Sequence, residues 1–401
     1  MRRYAEVLRV PHVAALVGAT LLARFPIGIN ALAVILYLRE RTGSFAIAGV
    51  VAGSLAAGSG VGAPVQGRLV DRFGQRRVLP PLALVHAAAL GLLVLSTELG
   101  APTAVLVLCG LLAGFAIPPT SSVLRSMWPT LLRDRPELIQ PAYALDSVLI
   151  ELIFILGPLL TGLLTVLMAP QVALIVSAGS VIAGTLLFTA LPPSRAWQPE
   201  HDAPSAGPWG ALSSPGVRSM VLISLPAGIG VGICEVAIPA FSDAIGSAEL
   251  AGVLLAVWSG GSAAGGLIYG SLARRPPLEH VHQAVAILLA LALLPMAAAS
   301  SFAVMLLLVI PAGAFIAPLL ATRNELIGRV APAGARTEAY TWPVTAFVGG
   351  ISLGSALAGV IVEQASWRAA FLAAGAFAFA GTMVAVARRG TVVQRAVAGV
   401  S

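Results

Sequence analysis

Four ionisable residues lie in stretches of the sequence that are otherwise strongly apolar: Arg24, Asp146, Glu151 and Glu235. A charged side chain within hydrocarbon is costly, and such residues often belong to proton or substrate pathways. Burial favours the neutral form of a carboxyl group, whereas a nearby guanidinium favours the charged form. A carboxyl group that alternately gains and loses such a partner can bind and release a proton, and we expect this of one of the three acids.

Depth along the apolar stretches suggests a partner for Arg24. Arg24 and Glu151 each lie roughly 12 or 13 residues into their stretches, which places them at a similar depth at about 1.5 Å per residue. We therefore expect Arg24 to pair with Glu151, either as part of proton coupling or as a permanent ion pair that fixes helix packing. Tyr143, Ser147 and Glu151 recur at four-residue spacing and share a helix face, whereas Asp146 points roughly 140° away from Glu151.

A second group of charged residues lies in the segment GRLVDRFGQRRVL, residues 67–79. Gly67 would allow two helices to approach closely, and Gly74 would permit a tight turn. Asp71 could accept hydrogen bonds from the free N–H groups at a helix N-terminus, its own or that of a neighbour. The cations of the segment would pair with acids or lipid phosphates, or would only mark the cytoplasmic side; they include Arg72, Arg76 and Arg77.

The composition is that of an integral membrane protein. The 401 residues are 58% hydrophobic and only 10% charged, and apolar runs of about 20 residues recur that could each cross a bilayer as a helix. The net charge of +7 is divided among short clusters between these runs, which argues against nucleic-acid binding. No nucleotide-binding loop, haem motif or zinc spacing occurs, so we expect a transporter without cofactor or metal and not an enzyme.

Proline, glycine and charge clusters divide the chain into roughly twelve spans. We expect an all-α membrane protein with two six-helix bundles, at residues 12–191 and 217–388, joined by a cytoplasmic linker at residues 192–216. Residues 1–11 and 389–401 would be cytoplasmic tails. The predicted spans are 12–38, 45–66, 78–98, 102–124, 138–168, 171–191, 217–242, 247–272, 281–300, 302–322, 338–362 and 367–387.

The arginines indicate the orientation. All 24 basic residues are arginine, and twenty of them, Arg125 and Arg323 included, fall at the tails, the even loops and the linker. Three lie on the opposite side, namely Arg39, Arg41 and Arg368. The positive-inside rule therefore predicts that both termini are cytoplasmic, in the plasma membrane of a bacterial cell.

The two halves resemble each other in sequence. The segments that begin at Ala142 and Ala339 align without gaps, so that Tyr143 corresponds to Tyr340. Segments that end at Arg125 and Arg323 match almost as well. Many transporters are built from such repeats, with the substrate site between the halves. Prolines predict kinks in the fourth and tenth spans, at Pro118, Pro119 and Pro318.

Residues 67–79 resemble the loop signature G-x-L-A-D-R/K-x-G-x-R/K-R/K-x-L of the major facilitator superfamily. Eight positions match, and only Val70 departs from the usual alanine; the matches are Gly67, Leu69, Asp71, Arg72, Gly74, Arg76, Arg77 and Leu79. The resemblance implies that Asp71 meets the eleventh span and holds the two halves closed on the cytoplasmic side. The second half has Arg274 at the corresponding place, so we expect this contact to be asymmetric.

We expect a monomeric secondary transporter that works by alternating access and exports small organic molecules, drug-like compounds or sugars, in exchange for protons. The segment GPLLTG, residues 157–162, resembles part of the signature of exporters in the superfamily, but Gly110 stands where the exporters carry an arginine. Uptake of a sugar or other nutrient is the alternative within transport. A receptor or scaffold that does not transport is the alternative of another class, and it would tolerate neutralisation of Asp71 and Glu151.

Overall fold

The computed structural model describes residues 2–199, 207, 209–246, 250–272 and 276–392, and within these residues the chain is helical without β-strands. The helices are α1 (Arg2–Arg9), α2 (Val13–Thr42), α3 (Phe45–Phe73), α4 (Gln75–Glu98), α5 (Thr103–Phe115), α6 (Thr120–Leu131), α7 (Ile139–Leu167), α8 (Pro170–Ala190), α9 (Pro192–Ala196), α10 (Pro215–Ala244), α11 (Ala251–Ser271), α12 (Leu278–Leu293), α13 (Phe302–Ala314), α14 (Ile316–Val330), α15 (Arg336–Gln364) and α16 (Trp367–Ala387).

Twelve helical spans in the described part of the chain are long and apolar enough to cross a membrane, as the sequence predicts. The first half comprises α2 to α8 and the second α10 to α16. Equivalent spans pack alike, because α2 packs on α8 as α10 packs on α16, and α3 packs on α5 as α11 packs on α13. The fold is therefore two pseudo-symmetric bundles of six spans.

The fourth and tenth spans are each interrupted. The fourth is divided between α5 and α6 at residues 116–119, where Pro118 and Pro119 cannot donate to the helical ladder. The tenth is divided between α13 and α14 at Phe315, three residues before Pro318. Both interruptions agree with the kinks predicted from the prolines, and they occupy equivalent positions in the two halves.

Several helices run further than their apolar stretches predict. The second span was expected to end near residue 66 but continues to Phe73, and the tenth was expected to end near residue 322 but continues to Val330. Asp71 and Arg323 therefore lie on helices and not in loops. Contacts with the opposite half bury and stabilise these polar helix ends. The hydropathy of the sequence does not report such contacts.

The halves meet mainly at one face of the membrane, which we call the terminal face: the face at which α2 begins and α16 ends. One buried apolar cluster contains residues of both halves, such as Trp128, Tyr143, Val217 and Tyr340. The other two described clusters are each confined to a single half. The core that joins the bundles is therefore concentrated at the terminal face.

Candidate functional site: a contact between the halves and a buried charge cluster

Asp71 joins the two halves at the terminal face. Its carboxylate lies at the C-terminal end of α3 and accepts hydrogen bonds from the backbone N–H groups of Thr337 (3.0 Å) and Glu338 (2.9 Å). These N–H groups belong to the first turn of α15, where a helix has no internal acceptors and its dipole attracts negative charge. The contact with the eleventh span that the resemblance implies is therefore present.

The helices α3 and α15 touch because Gly67 has no side chain. A Cβ atom at Gly67 would lie 2.9 Å from the Cα atom of Glu338, closer than two such atoms can pack. Gly74 is the single residue between α3 and α4, and its φ of 88° is one that side-chain-bearing residues rarely adopt. Gly67 thus lies at a close approach of two helices and Gly74 at a tight turn, whereas the expected loop is reduced to Gly74 alone.

An ion pair that the sequence did not reveal lies beside Asp71. Arg68 holds Glu338 through two bonds, Nη2 to Oε1 at 2.8 Å and Nε to Oε2 at 3.1 Å. Trp342 Nε1 also donates to Glu338 Oε1, at 3.1 Å. Arg68 lies one helical turn before Asp71, so the shared helix face was a signal that could have indicated this pairing.

The remaining cations of the segment take no part in the contact between Asp71 and α15. Arg72, Arg76 and Arg77 are exposed, and no ion pair is found for them in the described part of the chain. The Arg72 guanidinium lies 5.0 Å from the ring centre of Phe73. Their expected pairing with acids is therefore not observed among the described residues.

The equivalent contact between the halves uses different chemistry. Gln140, at the start of α7, donates through Nε2 to the carbonyl groups of Tyr269 (2.9 Å) and Leu272 (3.2 Å) at the end of α11. On this side a helix start therefore supplies a donor to a helix end, whereas α3 supplies an acceptor to the start of α15. The predicted asymmetry is present, while Arg274 lies outside the described residues.

The N-terminal helix α1 adds a further contact between the halves. The Tyr4 hydroxyl donates to the carbonyl groups of Gly266 (2.7 Å) and Leu267 (3.1 Å) in α11. Burial raises the pKa of Tyr4 to about 12, so the hydroxyl keeps its proton at any physiological pH. Tyr143 and Tyr340, from α7 and α15, also hydrogen-bond to each other at 2.5 Å.

The buried charges form a cluster in the first half. Asp146 accepts from Arg24 Nη2 through one carboxylate oxygen and from Arg125 Nε through the other, both at 2.6 Å. Arg24 also donates to the Ser121 hydroxyl. The expected pair of Arg24 with Glu151 is wrong, because Glu151 lies on another face of α7. Arg125 was counted as a cytoplasmic-loop arginine, but it is only 6% exposed and serves as a counterion.

Glu151 makes its hydrogen bond across the halves. Its Oε1 accepts from Ser262 of α11 at 2.8 Å, and Ser262 accepts in turn from the backbone N–H of Ala317, at 3.1 Å. Ala317 belongs to the first turn of α14, just after the interruption of the tenth span. Glu235 of α10 is accessible, and its charge lies close enough to interact with that of Glu151. The two carboxyl groups thus belong to opposite halves and lie within electrostatic range of each other.

A groove of about 900 Å³ lies between the halves, along α3 and α15. It extends from the Arg68–Glu338 pair at the terminal face to Gly53 and Ser352. Along its length the two helices remain in contact, because the Thr345 hydroxyl donates to the carbonyl group of Gly60 at 3.0 Å. Small and apolar side chains supply most of its wall; the lining includes Ala56, Ala57, Val61, Val65, Leu69 and Val348.

Residues 16–280 and 220–397 match the sequence pattern of the family described as the Major Facilitator Superfamily. The chain belongs to the major facilitator superfamily, and its fold is that of a membrane transporter for small molecules. No curated protein sequence matches it.

Solved transporters share this fold at low sequence identity. A bacterial homologue of the iron transporter ferroportin in the outward-facing state is 14% identical, with a TM-score of 0.74 over 94% of this chain and 99% of that one. The human organic anion transporter MFSD10 is 18% identical, with a TM-score of 0.65 over 95% and 99% of the two chains. The E. coli fucose:proton symporter FucP is 15% identical, with a TM-score of 0.72 over 95% and 99%.

Proposed function

We propose that this protein is a secondary transporter that exports small organic molecules from the bacterial cytoplasm in exchange for protons. The terminal face is then the cytoplasmic face, in line with the positive-inside rule. The structure is the state closed to the cytoplasm, with Asp71 and Gln140 as the two parts of the gate. The observation that carries the proposal is the contact of Asp71 with the start of α15, because rocking of the halves must break it.

Alternating access follows from this arrangement. The apolar cluster common to the two halves and the contacts made by Asp71 and Gln140 lie at the terminal face, whereas a groove runs along α3 and α15 beyond it. Opening the cytoplasmic side would release both Asp71 oxygens from α15 and expose the polar residues beneath the gate. A single chain supplies both halves of this pathway, so we propose that the transporter is monomeric.

Glu151 and Glu235 are the proposed proton site. Two carboxyl groups within electrostatic range of each other in a membrane interior do not readily carry negative charge together, so one of them holds a proton in this proposal. They belong to opposite halves, and therefore rocking changes their separation and their access to water. Asp146 is less suited to this role, because two arginines stabilise its charged form in the closed state.

Purified protein in liposomes tests the proposal. An imposed pH gradient should drive the accumulation of a substrate from a panel of dyes and sugars, and substrate addition should produce proton flux in the opposite direction. Flux of substrate and protons in the same direction would indicate an uptake symporter instead. Liposomes that contain the Asp71→Asn variant provide the control for gate-dependent flux.

A further inference from the structure

The repeat that relates the two halves leaves one buried cation without its counterion. Arg125 of α6 and Arg323 of α14 close equivalent segments of the two halves. Arg125 has Asp146 of α7 as its partner, at 2.6 Å. The gapless alignment of α7 with α15 places Pro343 at the position equivalent to Asp146. The second half therefore keeps the arginine and lacks the acid.

Arg323 has little compensation for its charge. Its side chain is buried, with 5% of the residue exposed, and Nε and Nη1 have no hydrogen-bond partner among the described residues. Nη2 makes one long contact of 3.4 Å with Asn324 Oδ1, and the guanidinium lies 5.7 Å from the ring centre of Phe347. Glu325 is near in sequence, but it pairs with Arg329 at 3.3 Å.

The whole cluster carries an excess of positive charge. Arg323 lies within electrostatic range of Arg125 and Asp146, and Arg24 shares Asp146 with Arg125. Two guanidinium groups therefore contact a single carboxylate and a third lies within electrostatic range of it. Arg24 Nη1 also has no hydrogen-bond partner among the described residues. An unpaired buried charge is strongly destabilising, so such a cluster attracts an anion.

We propose that this cluster binds the carboxylate or phosphate group of a small organic anion, and that anions are the substrate class of the transporter. The inference rests on the proposed transport function and deepens it. Arg323 comes from the second half, and Arg24 and Arg125 come from the first, so a bound anion is held by both halves. Guanidinium groups suit this task because their planar donors match carboxylate and phosphate oxygens in pairs.

Such an anion also explains how the gate closes. With the cytoplasmic side open, water hydrates Arg323; closure removes that water and leaves two of its three nitrogens without partners. A substrate anion supplies the missing acceptors, so the loaded transporter closes more readily than the empty one. A cationic substrate would add to the unfavourable charge, which argues against export of cationic drugs by this site.

Thermal unfolding in detergent tests the site directly. The probes are succinate, benzoate and inorganic phosphate, with choline and glucose as comparisons at equal ionic strength. An anion that binds the folded protein raises the midpoint temperature of unfolding, and a tighter-binding anion raises it further at the same concentration. We expect anions to stabilise the wild type and Arg323→Gln to weaken the apparent affinity at least about tenfold, since a charge-assisted hydrogen bond is lost.

Two variants separate anion binding from folding. Arg323→Lys should retain part of the anion effect, because it keeps the charge but not the paired donors. Arg329→Gln is the matched control on the same helix and should respond like the wild type. Stabilisation of the wild type by none of the anions, or an equal response in Arg323→Gln, would overturn the proposal.

Two further comparisons distinguish a lipid headgroup from a soluble anion, and the anion site from the transport function. Phosphatidylglycerol added in place of soluble anions tests a lipid headgroup; an effect of the lipid alone would overturn the substrate assignment. Proton-coupled flux of a cationic dye without stabilisation by anions would support the proposed transport function and contradict the anion site. Stabilisation by anions that depends on Arg323, without flux of any substrate, would support the anion site and contradict the proposed transport function.

Discussion

The hydroxyl groups of Tyr143 and Tyr340 lie 2.5 Å apart, and the two residues occupy equivalent positions in the two halves of the chain. A pair of equivalent residues that touch must lie on the pseudo-two-fold axis between the bundles. Both side chains are buried at the terminal face. The hydrogen bond therefore marks the centre of the contact that would open under the proposed rocking of the halves.

We predict that Tyr143→Phe and Tyr340→Phe each shift the balance toward the open gate by a similar amount. Either variant removes the hydrogen bond between the halves, which contributes about 0.5–1.5 kcal/mol. The other bond of Tyr143, to the Arg125 carbonyl group at 3.3 Å, lies within the first half. The double variant should be little worse than either single one, so the coupling in a double-mutant cycle should be close to the single effect. Accessibility of a cysteine at the gate to a thiol reagent measures the open fraction, and additive effects would show that the pair does not act as one contact.

Asp71→Asn should lower the transport rate at least about tenfold, while expression and membrane insertion remain normal. Asparagine keeps one acceptor oxygen, so one of the two bonds to α15 and the charge at its N-terminus are lost, at about 1.5–3 kcal/mol for a hydrogen bond to a charged group. The rate is measured in liposomes. Asp134→Asn is the matched control, because Asp134 is an exposed acid outside the gate and should transport normally.

Asp146→Asn should destabilise the protein by about 3–5 kcal/mol, since it leaves Arg24 and Arg125 buried without a counterion. Addition of Arg125→Gln to this variant should restore part of the loss, because the buried charge then falls. The free energy of unfolding in denaturant reports both effects. If the double variant were the less stable of the two, Arg125 would owe its burial to contacts other than the ion pair.

Glu151→Gln and Glu235→Gln should uncouple transport from the pH gradient while exchange of substrate across the membrane continues. Glutamine keeps an oxygen that can accept from Ser262, so the contact between the halves is retained while the proton site is lost. The ratio of protons to substrate moved in liposomes is the measurement. Glu363→Gln serves as the control, because Glu363 is exposed near the end of its span and should remain coupled.

The fold was predictable because the length of each apolar stretch and the positions of the prolines define single helices, and the repeat relates the helices of one half to those of the other. The depth of Arg24 was also predictable, but its partner was not. Depth does not determine which face of α7 turns toward α2, and Asp146 lies on that face while Glu151 turns toward α11. Asp71 was found because an acid contributes nothing to topology, so its presence among arginines required another reason.

Arg125 and Arg323 show the opposite case. Both lie near the ends of apolar stretches. The count of arginines on each side of the membrane therefore placed them at the arginine-rich face. Burial of these side chains depends on the opposite half and on helices that continue beyond the apolar stretch. The repeat still held a usable signal, since Arg125 has Asp146 available within its half whereas Arg323 has Pro343 at the matching place.

The one-residue connection at Gly74 has a practical consequence for observing this transporter at work. Because a single residue joins them, the end of α3 and the start of α4 stay close together during the proposed release of Asp71 from α15. Arg76 and Arg77 lie on the far side of that joint, exposed and outside the gate contacts. A fluorophore attached at either position would follow each turnover in real time without disturbing the contact it reports.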